Sequence, residues 1–599
     1  MPYVKSADRE QLFMTSLDML VDRDSVARII DAFVDSLDLK EMGFTNTSPS
    51  TEGRPAYSPE AMLKLYIYGH QNNIRSSRKL QRACHINIEL KWLVKGAEPD
   101  FRTISDFRKN NHPLLKKVFL EFNKRFSDLM TGYVSVDGSK FFASNSKDKN
   151  FTSSKLDDRI RWLSGHIDEY LRQMDQQDKS EGGGPAGTLT AEELQAKLTE
   201  AEERLKEYQG YQEYMQKNNL SQLSLTDSDA RLMKNRNGFT VSHNVQAAVD
   251  SETHMIADFD ITSNPTDYGQ LGSTLHGMKE RTPDKILESV ADKGYQSEED
   301  MARCLENGII PNVIPPDGED TFEINIPFEG SEDLHPESTA AADLYRCLHA
   351  GVIPDAYKTA ITKAELKEKE VIVQQDPAEI PRSPFNDEDE MIAKAAEGYF
   401  VRDPEQNIVY CPMGETLRQN TVTKKDRIRY INKNACRHCP CRNQCHGSRK
   451  GYREVDFRKD EFVKPNGIWI KANGGKPKFH KRSIKREKRM MVVLTLRPDR
   501  QKMAARMCIS EHPFGTIKRS MDSSYFLLRK NAKVTGEFAL FSLAYNLRRA
   551  VTILGFEEVM KRVTRNTDLY FICLYPGSKN CRKNKLTDQD GQIYAAIAA

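Results

Sequence analysis

The chain has 599 residues, of which 38% are hydrophobic and 29% charged, with a formal net charge of +3. This composition suits a soluble globular protein better than a disordered one, and the length suits several domains or one core with large insertions. A net charge this close to zero does not by itself indicate a nucleic-acid binder. The distribution of charged residues along the chain is more informative. No apolar run is long enough to cross a bilayer and the N-terminus has no signal-peptide pattern, so we expect a cytoplasmic protein.

A helical domain is predicted for residues 1–130. Apolar residues recur at helical spacing from residue 62 onwards, after a serine-proline pair that is typical of a helix start. The segment IRSSRKLQRAC places Arg75, Arg78 and Arg82 largely on one helix face. Such a face can bind DNA phosphates, although charge alone is equally compatible with a solvated surface.

The run GYVSVD is predicted to be a short strand that ends in Asp137. Two charged helices are expected next, at 157–180 and 190–219, and Thr190 begins a capping-box pattern at the start of the second. The glycine-rich segment SEGGGPAG separates them. Together they predict a helical hairpin.

Strands and helices alternate after the hairpin. Residues 238–262 predict two strands joined by a turn at 250–252, and a helix follows at 267–280. ILESVAD is predicted to be a buried strand that ends in Asp292, SEEDMARCLENG a helix, and GIIPNVIPP a last short strand. This alternation indicates an α/β core.

The remainder of the chain changes in character several times. Residues 316–400 are acidic, with turn residues and no clear β alternation, so we expect an insertion with partial helices. A cysteine cluster, a basic stretch and a helical region that contains Glu511 follow. We therefore predict these domains: 1–130 (helical), 131–315 (first part of the core, with the hairpin at 157–220), 316–500 (insertion) and 501–599 (C-terminal part of the core).

The order of these elements is that of an RNase H-like core with a mixed sheet. In such a core Asp137 and Asp292, each ending a strand, could lie side by side, and Glu511 on a packed helix could complete the cluster. Three neighbouring carboxylates repel one another, and two divalent cations would relieve that repulsion. Ions held in this way, Mg²⁺ above all, drive displacement at phosphate. The spacing alone is a weak signal, because aspartates end many strands as turn residues.

Several segments together resemble one family. They are GRPAYSPEAMLKLYIYGHQNNIRSSRKLQRAC and PDFRTISDFR near the N-terminus, VSVDGSKFFASNS, SLTDSDARLMK, HNVQAAVD, ADKGYQSEED, and EHPFGTIKRSM followed by FLLRKNAKVTGEFALFSLAYNLRRA. They resemble segments of bacterial insertion-sequence transposases of the DDE class, in particular the group eleven eighty-two. The resemblance runs along almost the full chain, and its specificity lies in the combination of the segments.

The resemblance implies roles for single residues. Asp137, Asp292 and Glu511 match the catalytic carboxylates that hold the metal ions, two Mg²⁺ or Mn²⁺. Lys518 follows Glu511 at the spacing of the signature lysine, which contacts DNA near the scissile phosphate. The signature arginine of related families would fall at Met507, where this sequence has its arginine one place earlier.

Two further residues are weaker candidates for positioning the substrate. They are Tyr295, in the DKGY segment, and Lys140, after the first aspartate. Packing is an equally good interpretation of an aromatic residue near a strand end. Related transposases also insert a domain before the glutamate helix, where this chain has its acidic segment and cysteine cluster.

Five of the 11 cysteines fall within residues 411–445. In a reducing compartment such a cluster indicates a metal site before disulfides. Four thiolates could form a tetrahedral structural Zn²⁺ site, and they are Cys411, Cys436, Cys439 and Cys445. Cys441, His438 and His446 are competing ligands, and free cysteines in a small loop-rich subdomain are the alternative.

The stretch KPKFHKRSIKREKRMM is dense in basic residues. It includes Lys481, Arg482, Lys485 and Arg486, and we expect these charges to bind DNA phosphates. A basic linker is the alternative, and it is compatible with DNA binding.

Taken together, the sequence predicts a transposase that binds the terminal inverted repeats of its element, cuts DNA and joins the freed 3′-hydroxyl to a target. We expect double-stranded DNA as the partner, a homodimer in the DNA complex, and association with the bacterial nucleoid. A related nuclease that does not transpose and a DNA-binding regulator with an inactive core are the alternatives.

Overall fold

The structure is a computed structural model. It describes residues 10, 14–48, 55–179, 190–218, 220, 222–235, 238–315, 319–330, 332–372, 385, 387–423, 427–445, 451–458, 461–474 and 486–564. Within these ranges no helix combines the length and the apolar character that a membrane crossing requires. The chain divides into two compact units, one comprising residues 1–367 and 491–599 and the other residues 368–490.

The N-terminal region of the first unit is helical, as predicted. Its helices are α1 (Val26–Asp35), α2 (Pro59–Gln71), α3 (Ser77–Ile86), α4 (Ile88–Leu93) and α5 (Phe101–Lys124). Ser58 caps α2 by accepting a hydrogen bond from the backbone N–H of Ala61, and Asp100 caps α5. The apolar faces of these helices pack into one core, which includes Tyr66 and Phe119.

The helical hairpin is also present. Strand β1 (Val134–Phe142) is followed by β2 (Asn150–Thr152), the paired helices α6 (Ser153–Lys179) and α7 (Ala191–Lys217), and β3 (Gln222–Ser224), which pairs with β2. Thr190 and Glu193 form the predicted capping box at the start of α7.

A six-stranded mixed sheet forms the centre of the first unit. Its other elements are β4 (Arg231–Asn235), β5 (Gly238–Asp250), β6 (Ile256–Thr262), α8 (Leu271–Arg281), β7 (Leu287–Ala291), α9 (Glu298–Glu306) and β8 (Ile309–Val313). The strand order is β4-β5-β1-β7-β8, and β6 also pairs with β5. β5 runs antiparallel to β1, β4 and β6, whereas β7 runs parallel to β1 and β8 parallel to β7. The strands and helices predicted between residues 132 and 315 are therefore all found, although β1 continues to Phe142 and does not end at Asp137 as predicted.

Residues 319–372 contain two strands where only partial helices were expected. They are β9 (Phe322–Pro327) and β10 (Ile361–Ile372), with helix α10 (Ala341–His349) between them. The prediction was wrong for β9 because its alternation covers only six residues, of which Phe322, Ile324 and Ile326 are buried. It was wrong for β10 because charged residues occupy half of that strand.

The second unit contains an antiparallel sheet. Its elements are α11 (Glu388–Ala396), β11 (Tyr399–Asp403), β12 (Ile408–Tyr410), β13 (Thr416–Thr423), β14 (Arg427–Ile431), α12 (Lys433–His438), α13 (Arg442–Cys445), β15 (Glu454–Arg458), β16 (Val463–Pro465) and α14 (Gly467–Ala472). The strand order is β15-β14-β13-β12-β11-β16. Phe400, Tyr430 and Phe457 form part of its small core.

The chain then returns to the first unit. Strand β17 (Arg486–Leu496) lies between β9 and β10 in a separate sheet, and helix α15 (Arg500–Gly515), a π-helical segment (Thr516–Ser520) and helix α16 (Asn531–Val563) follow. Pro513 lies within α15 and cannot donate a backbone hydrogen bond. The backbone N–H of Met521 reaches back five residues to the carbonyl of Thr516, which is the π-helical pattern.

Both faces of the central sheet are covered. Phe141 of β1 and Val245 of β5 belong to a core that also contains residues of α1–α5, α15 and α16. Val134 and Val136 of β1 belong to a second core, with residues of α8 and α9. Because successive side chains of a strand point to opposite faces, Asp137 points to the face that α15 covers.

Candidate active site

Asp137 and Asp292 occupy matching positions on two neighbouring parallel strands. Asp292 directly follows β7, but Asp137 lies within β1, which continues to Phe142 and does not end at Asp137 as predicted. In the β1–β7 pairing Val134 lies opposite Ser289 and Ser135 opposite Val290, and the same register places Asp137 opposite Asp292. Asp292 accepts a hydrogen bond from the backbone N–H of Gly294 at 2.7 Å. Residues opposite each other point to the same face of a sheet, so both carboxyl groups lie on the face covered by α15.

The acidic environment is visible in the pKa of Asp137. The pKa of this carboxyl is raised to about 6, chiefly by burial and to a smaller extent by the neighbouring carboxylates of Asp292 and Asp267. The guanidinium of Arg506 and a hydrogen bond from the backbone N–H of Gly138 act in the opposite direction. A partly buried carboxyl beside two others is suited to a divalent cation, whose charge would offset the repulsion.

Helix α15 is anchored directly on β1. Ser135 Oγ donates to the carbonyl oxygen of Arg506 at 3.2 Å, and Ser510 Oγ lies 3.5 Å from Asp137 Oδ2. Glu511 is the next residue and its side chain is exposed. Since one residue advances about 100° around an α-helix, Glu511 lies on the solvent side of the contact with β1.

Lys518 lies on the same face of the sheet as Asp137. Its Nζ donates to Ser139 Oγ at 2.6 Å and to the carbonyl oxygen of Lys140 at 2.7 Å. The ammonium also lies 4.4 Å from the ring centre of Phe141. Ser139 is two residues beyond Asp137 on β1, so contacts within the protein hold the lysine on the strand of Asp137.

A hydrogen-bond network lies behind the two aspartates, on the opposite face of the sheet. Tyr295 is fully buried and donates to Gln246 Oε1, and Gln246 Nε2 donates to Asp267 Oδ1 at 2.7 Å. Lys140 Nζ lies 3.3 Å from the same Asp267 oxygen. Tyr295 therefore has a packing and hydrogen-bonding role in this structure. Neither Asp267 nor Gln246 was predicted as a site residue from the sequence. Asp267 lies in none of the segments that resemble the family, and Gln246 lies in HNVQAAVD, for which the resemblance implied no residue role.

The three N-terminal arginines are not equivalent. Arg78 and Arg82 are exposed on α3, and the guanidinium of Arg78 lies 4.9 Å from the ring centre of Phe101. Arg75 is only 6% exposed and forms an ion pair with the buried Glu537 at 3.0 Å. The expected phosphate contact by Arg75 therefore does not fit this structure, because its guanidinium is enclosed by protein.

Four cysteines line one cavity of the second unit, and they are the four predicted zinc ligands, Cys411, Cys436, Cys439 and Cys445. Cys441 is not among the lining residues. The pKa of the Cys411 thiol is raised to about 11, chiefly by burial and to a smaller extent by the nearby thiols of Cys445 and Cys436. Asn466 Nδ2 donates to the sulfur of Cys445 at 3.1 Å.

Neither predicted metal site is assembled as the side chains stand. Among the described residues, no group of three or more histidine, cysteine, aspartate or glutamate side chains could hold a metal ion. The donor chemistry fits in both places, with carboxylates in the first unit and thiols around one cavity in the second. Metal binding would require Glu511 to turn toward the aspartates and the thiols to turn toward one point.

The predicted basic DNA-binding stretch can be placed only in part. Lys481, Arg482 and Lys485 lie outside the described residues. Arg486 is the first residue of β17, and its side chain lies outside the described part of the structure.

Two family models match parts of the chain. A transposase domain (DUF772) matches residues 15–110, and a transposase DDE domain matches residues 410–551. The first match covers α1–α4 and the first part of α5. The second covers the four cysteines of the cavity, α15 with Glu511, and the π-helical segment with Lys518. No curated protein and no solved structure matches the chain. The two matches support an insertion-sequence transposase of the DDE class, a family of DNA-cleaving enzymes that generally use divalent metal ions.

Proposed function

We propose that the chain is the transposase of an insertion sequence of group eleven eighty-two, which binds the terminal inverted repeats of its element and catalyses metal-dependent DNA cleavage and strand transfer. One observation carries the proposal: Asp137 and Asp292 lie in register on parallel strands, on the face covered by the helix that bears Glu511. The two transposase matches agree with it.

The sheet supports an RNase H-like core. Three antiparallel neighbours, β6, β5 and β1, are followed across the sheet by two strands parallel to β1, namely β7 and β8. The two aspartates are then at the centre of the sheet, Asp137 within β1 and Asp292 directly after β7. A helix from the C-terminal part of the chain covers this edge and adds the third carboxylate.

In the proposed mechanism Asp137, Asp292 and Glu511 hold two Mg²⁺ or Mn²⁺ ions. Bound there, the ions would activate a water or a 3′-hydroxyl and stabilise the leaving oxygen. Lys518, held against β1 by Ser139 and by the Lys140 carbonyl, presents a positive charge to a phosphate of the DNA. Positioning and charge neutralisation contribute most of the catalysis in phosphoryl chemistry.

DNA contacts are proposed at two places. The exposed Arg78 and Arg82 of α3 would bind the inverted repeats, and the basic stretch with Lys481, Arg482, Lys485 and Arg486 would bind DNA backbone. Joining two ends of one element requires two end-binding sites, so we propose a homodimer in the DNA complex. Such an enzyme would act on the bacterial nucleoid in the cytoplasm.

A structural zinc ion is proposed in the second unit, with Cys411, Cys436, Cys439 and Cys445 as ligands. The supporting observation is that these four thiols border one cavity whereas Cys441, in the same short segment, does not. A Cys₄ site has no open position for water, so it would stabilise the fold and take no part in catalysis.

A nicking assay separates the candidate functions. The substrate is a supercoiled plasmid that carries the inverted repeats flanking the gene, incubated with the purified chain and Mg²⁺. The proposal predicts cuts at the repeat ends and joined products. Cuts without joined products would favour the nuclease, and end binding without any cut would favour a regulator with an inactive core.

A further inference from the structure

Arg75 lies at the turn between α2 and α3 and binds a segment that is distant in the sequence, residues 520–528, together with Glu537. Its guanidinium donates to the carbonyl oxygen of Asp522 at 3.1 Å, to the carbonyl oxygen of Tyr525, and to Glu537 Oε1 at 3.0 Å. It also lies between two aromatic rings, 4.5 Å from the centre of Tyr525 and 4.7 Å from that of Phe541. A planar fork with several donors suits this set of acceptors, and a lysine does not.

Glu537 binds both Arg75 and the same distant segment. Its side chain is fully buried on α16, and it accepts hydrogen bonds from the backbone N–H of Leu527 at 3.0 Å and of Leu528 at 2.9 Å. A buried ion pair of this kind is costly to break, because the remaining partner keeps an uncompensated charge. Asn73 adds a second contact from the same turn by donating to the carbonyl oxygen of Ser520 at 3.1 Å.

The segment that Arg75 and Glu537 bind, residues 520–528, is connected to the candidate active site in two ways. It begins two residues after Lys518. It also pairs with the end of β1, where the backbone N–H of Phe142 donates to the carbonyl oxygen of Ser524 at 3.1 Å and Phe526 N–H donates to the Phe142 carbonyl at 2.9 Å. Thus one arginine of the N-terminal helices holds a segment that is continuous with Lys518 and bonded to the strand of Asp137.

We propose that Arg75 is a positioning residue, which aligns the DNA end bound by the N-terminal helices with the catalytic carboxylates. The inference rests on the proposed function. α3 begins two residues after Arg75 and exposes Arg78 and Arg82, so a DNA end held by α3 is placed relative to Lys518 and β1 through Arg75 and Glu537. Arg75 itself does not contact DNA. Small misplacements at a reaction centre are costly in rate, so loss of this alignment lowers the cleavage rate more than the affinity for DNA ends.

Single-turnover cleavage at saturating DNA tests this role. Arg75→Lys is expected to bind end DNA within about threefold of wild type but to cut about ten- to a hundredfold more slowly. Arg303→Lys, at an exposed arginine of α9 that belongs to neither the proposed catalytic site nor the proposed DNA contacts, is the matched control and should bind and cut like wild type. If wild type cuts and Arg75→Lys cuts equally fast at saturation, the inference is wrong and the proposed function stands. If wild type does not cut at all, the proposed function fails first.

A second variant and a measurement on the wild-type protein test the role of Arg75 even if Arg75→Lys does not fold correctly. Glu537→Gln retains an oxygen acceptor for Leu527 and Leu528 but loses the charge facing Arg75, and it should reproduce the slow cleavage. In wild-type protein, hydrogen exchange at the amides of Leu527 and Leu528 should slow when end DNA binds without Mg²⁺. Unchanged exchange there would overturn the coupling, whatever the variants do.

Discussion

Ser510 and Asp137, 373 positions apart in the sequence, are in contact through Ser510 Oγ and Asp137 Oδ2 at 3.5 Å. The contact matters because the matched transposase DDE domain covers residues 410–551 and therefore includes Ser510 and Glu511 but neither aspartate. The structure brings the matched helix onto the strand of Asp137, and the β1–β7 register adds Asp292. The structure therefore connects the part of the chain that the family model matches with two aspartates that lie outside the match.

The raised pKa of Asp137 predicts a pH-dependent instability of the metal-free protein. Its carboxyl titrates at about 6 in the folded protein against an ordinary value of 3.8, so the folded state loses stability as pH rises from about 4 to 6. The loss is at most about 3 kcal/mol, since one pKa unit corresponds to about 1.4 kcal/mol. With EDTA at pH 7.5, Asp137→Asn should therefore be more stable than wild type toward urea, and the difference should vanish near pH 4.

Magnesium provides the control for this prediction. Mg²⁺ should raise the urea midpoint of the wild type at pH 7.5 and have little effect on Asp137→Asn, because the ion binds the ionised carboxylates of the folded state. If Mg²⁺ stabilised wild type and Asp137→Asn equally, the ion would bind at a site that does not include Asp137.

Gly138 is predicted to be required for the geometry around Asp137. A Cβ at this position would lie 2.3 Å from Asp267 Oδ1 and 2.6 Å from Gln246 Nε2, so Gly138→Ala has to displace the network that adjoins β1. We expect loss of DNA cleavage with end binding retained. Gly165→Ala on α6 is the control, since its Cβ would meet no atom within 4 Å and the exchange should leave cleavage unchanged. Normal cleavage by Gly138→Ala would show that the network does not position the site.

The exposed arginines of α3 should contribute to the salt dependence of DNA binding. Arg78→Ala combined with Arg82→Ala should weaken binding to the inverted repeats and reduce the slope of log affinity against log salt by about 2, one per lost phosphate contact. Arg303→Ala, another exposed arginine, located on α9, is the control and should leave the slope unchanged. An unaltered slope in the double variant would remove α3 from the DNA interface.

The cysteine cavity predicts about one zinc per chain, for a single tetrahedral site, in protein purified without added metal. Cys436→Ser or Cys439→Ser should lose the zinc and destabilise the second unit, because metal binding and local folding are coupled. Cys441→Ser is the matched control, since Cys441 does not line the cavity, and it should retain the metal. Elemental analysis with a thiol titration decides, and five freely titratable thiols in a zinc-free folded protein would refute the site.

Elements with local signals were predictable from the sequence. The strands near Asp137 and Asp292 have apolar runs, and the start of α7 has a capping box at Thr190. The end of β1 was predicted wrongly, because the strand continues past Asp137 to Phe142. The residues that contact or neighbour the aspartates, Ser510 and Asp267, could not be predicted, because no motif distinguishes them from other serines and aspartates.

Features that depend on distant partners could not be predicted. β9 pairs with residues 491–496 of β17, more than a hundred positions later, and nothing near β9 in the sequence specifies this pairing. Arg75 looked like its neighbours Arg78 and Arg82 because all three lie in one basic segment. Its burial follows from Glu537, 462 positions away, which only the folded chain brings to it.

The most direct test of the account is Mg²⁺-dependent cleavage of inverted-repeat DNA by single alanine variants. Asp137→Ala, Asp292→Ala and Glu511→Ala should each abolish cleavage and strand transfer while binding the ends nearly as tightly as wild type, because residues that hold the same ions act as a unit. Glu511→Ala is the most informative of the three, since the side chain of Glu511 is exposed and has to turn toward the aspartates when metal binds. Near wild-type cleavage by any one variant would contradict the proposed role of that residue.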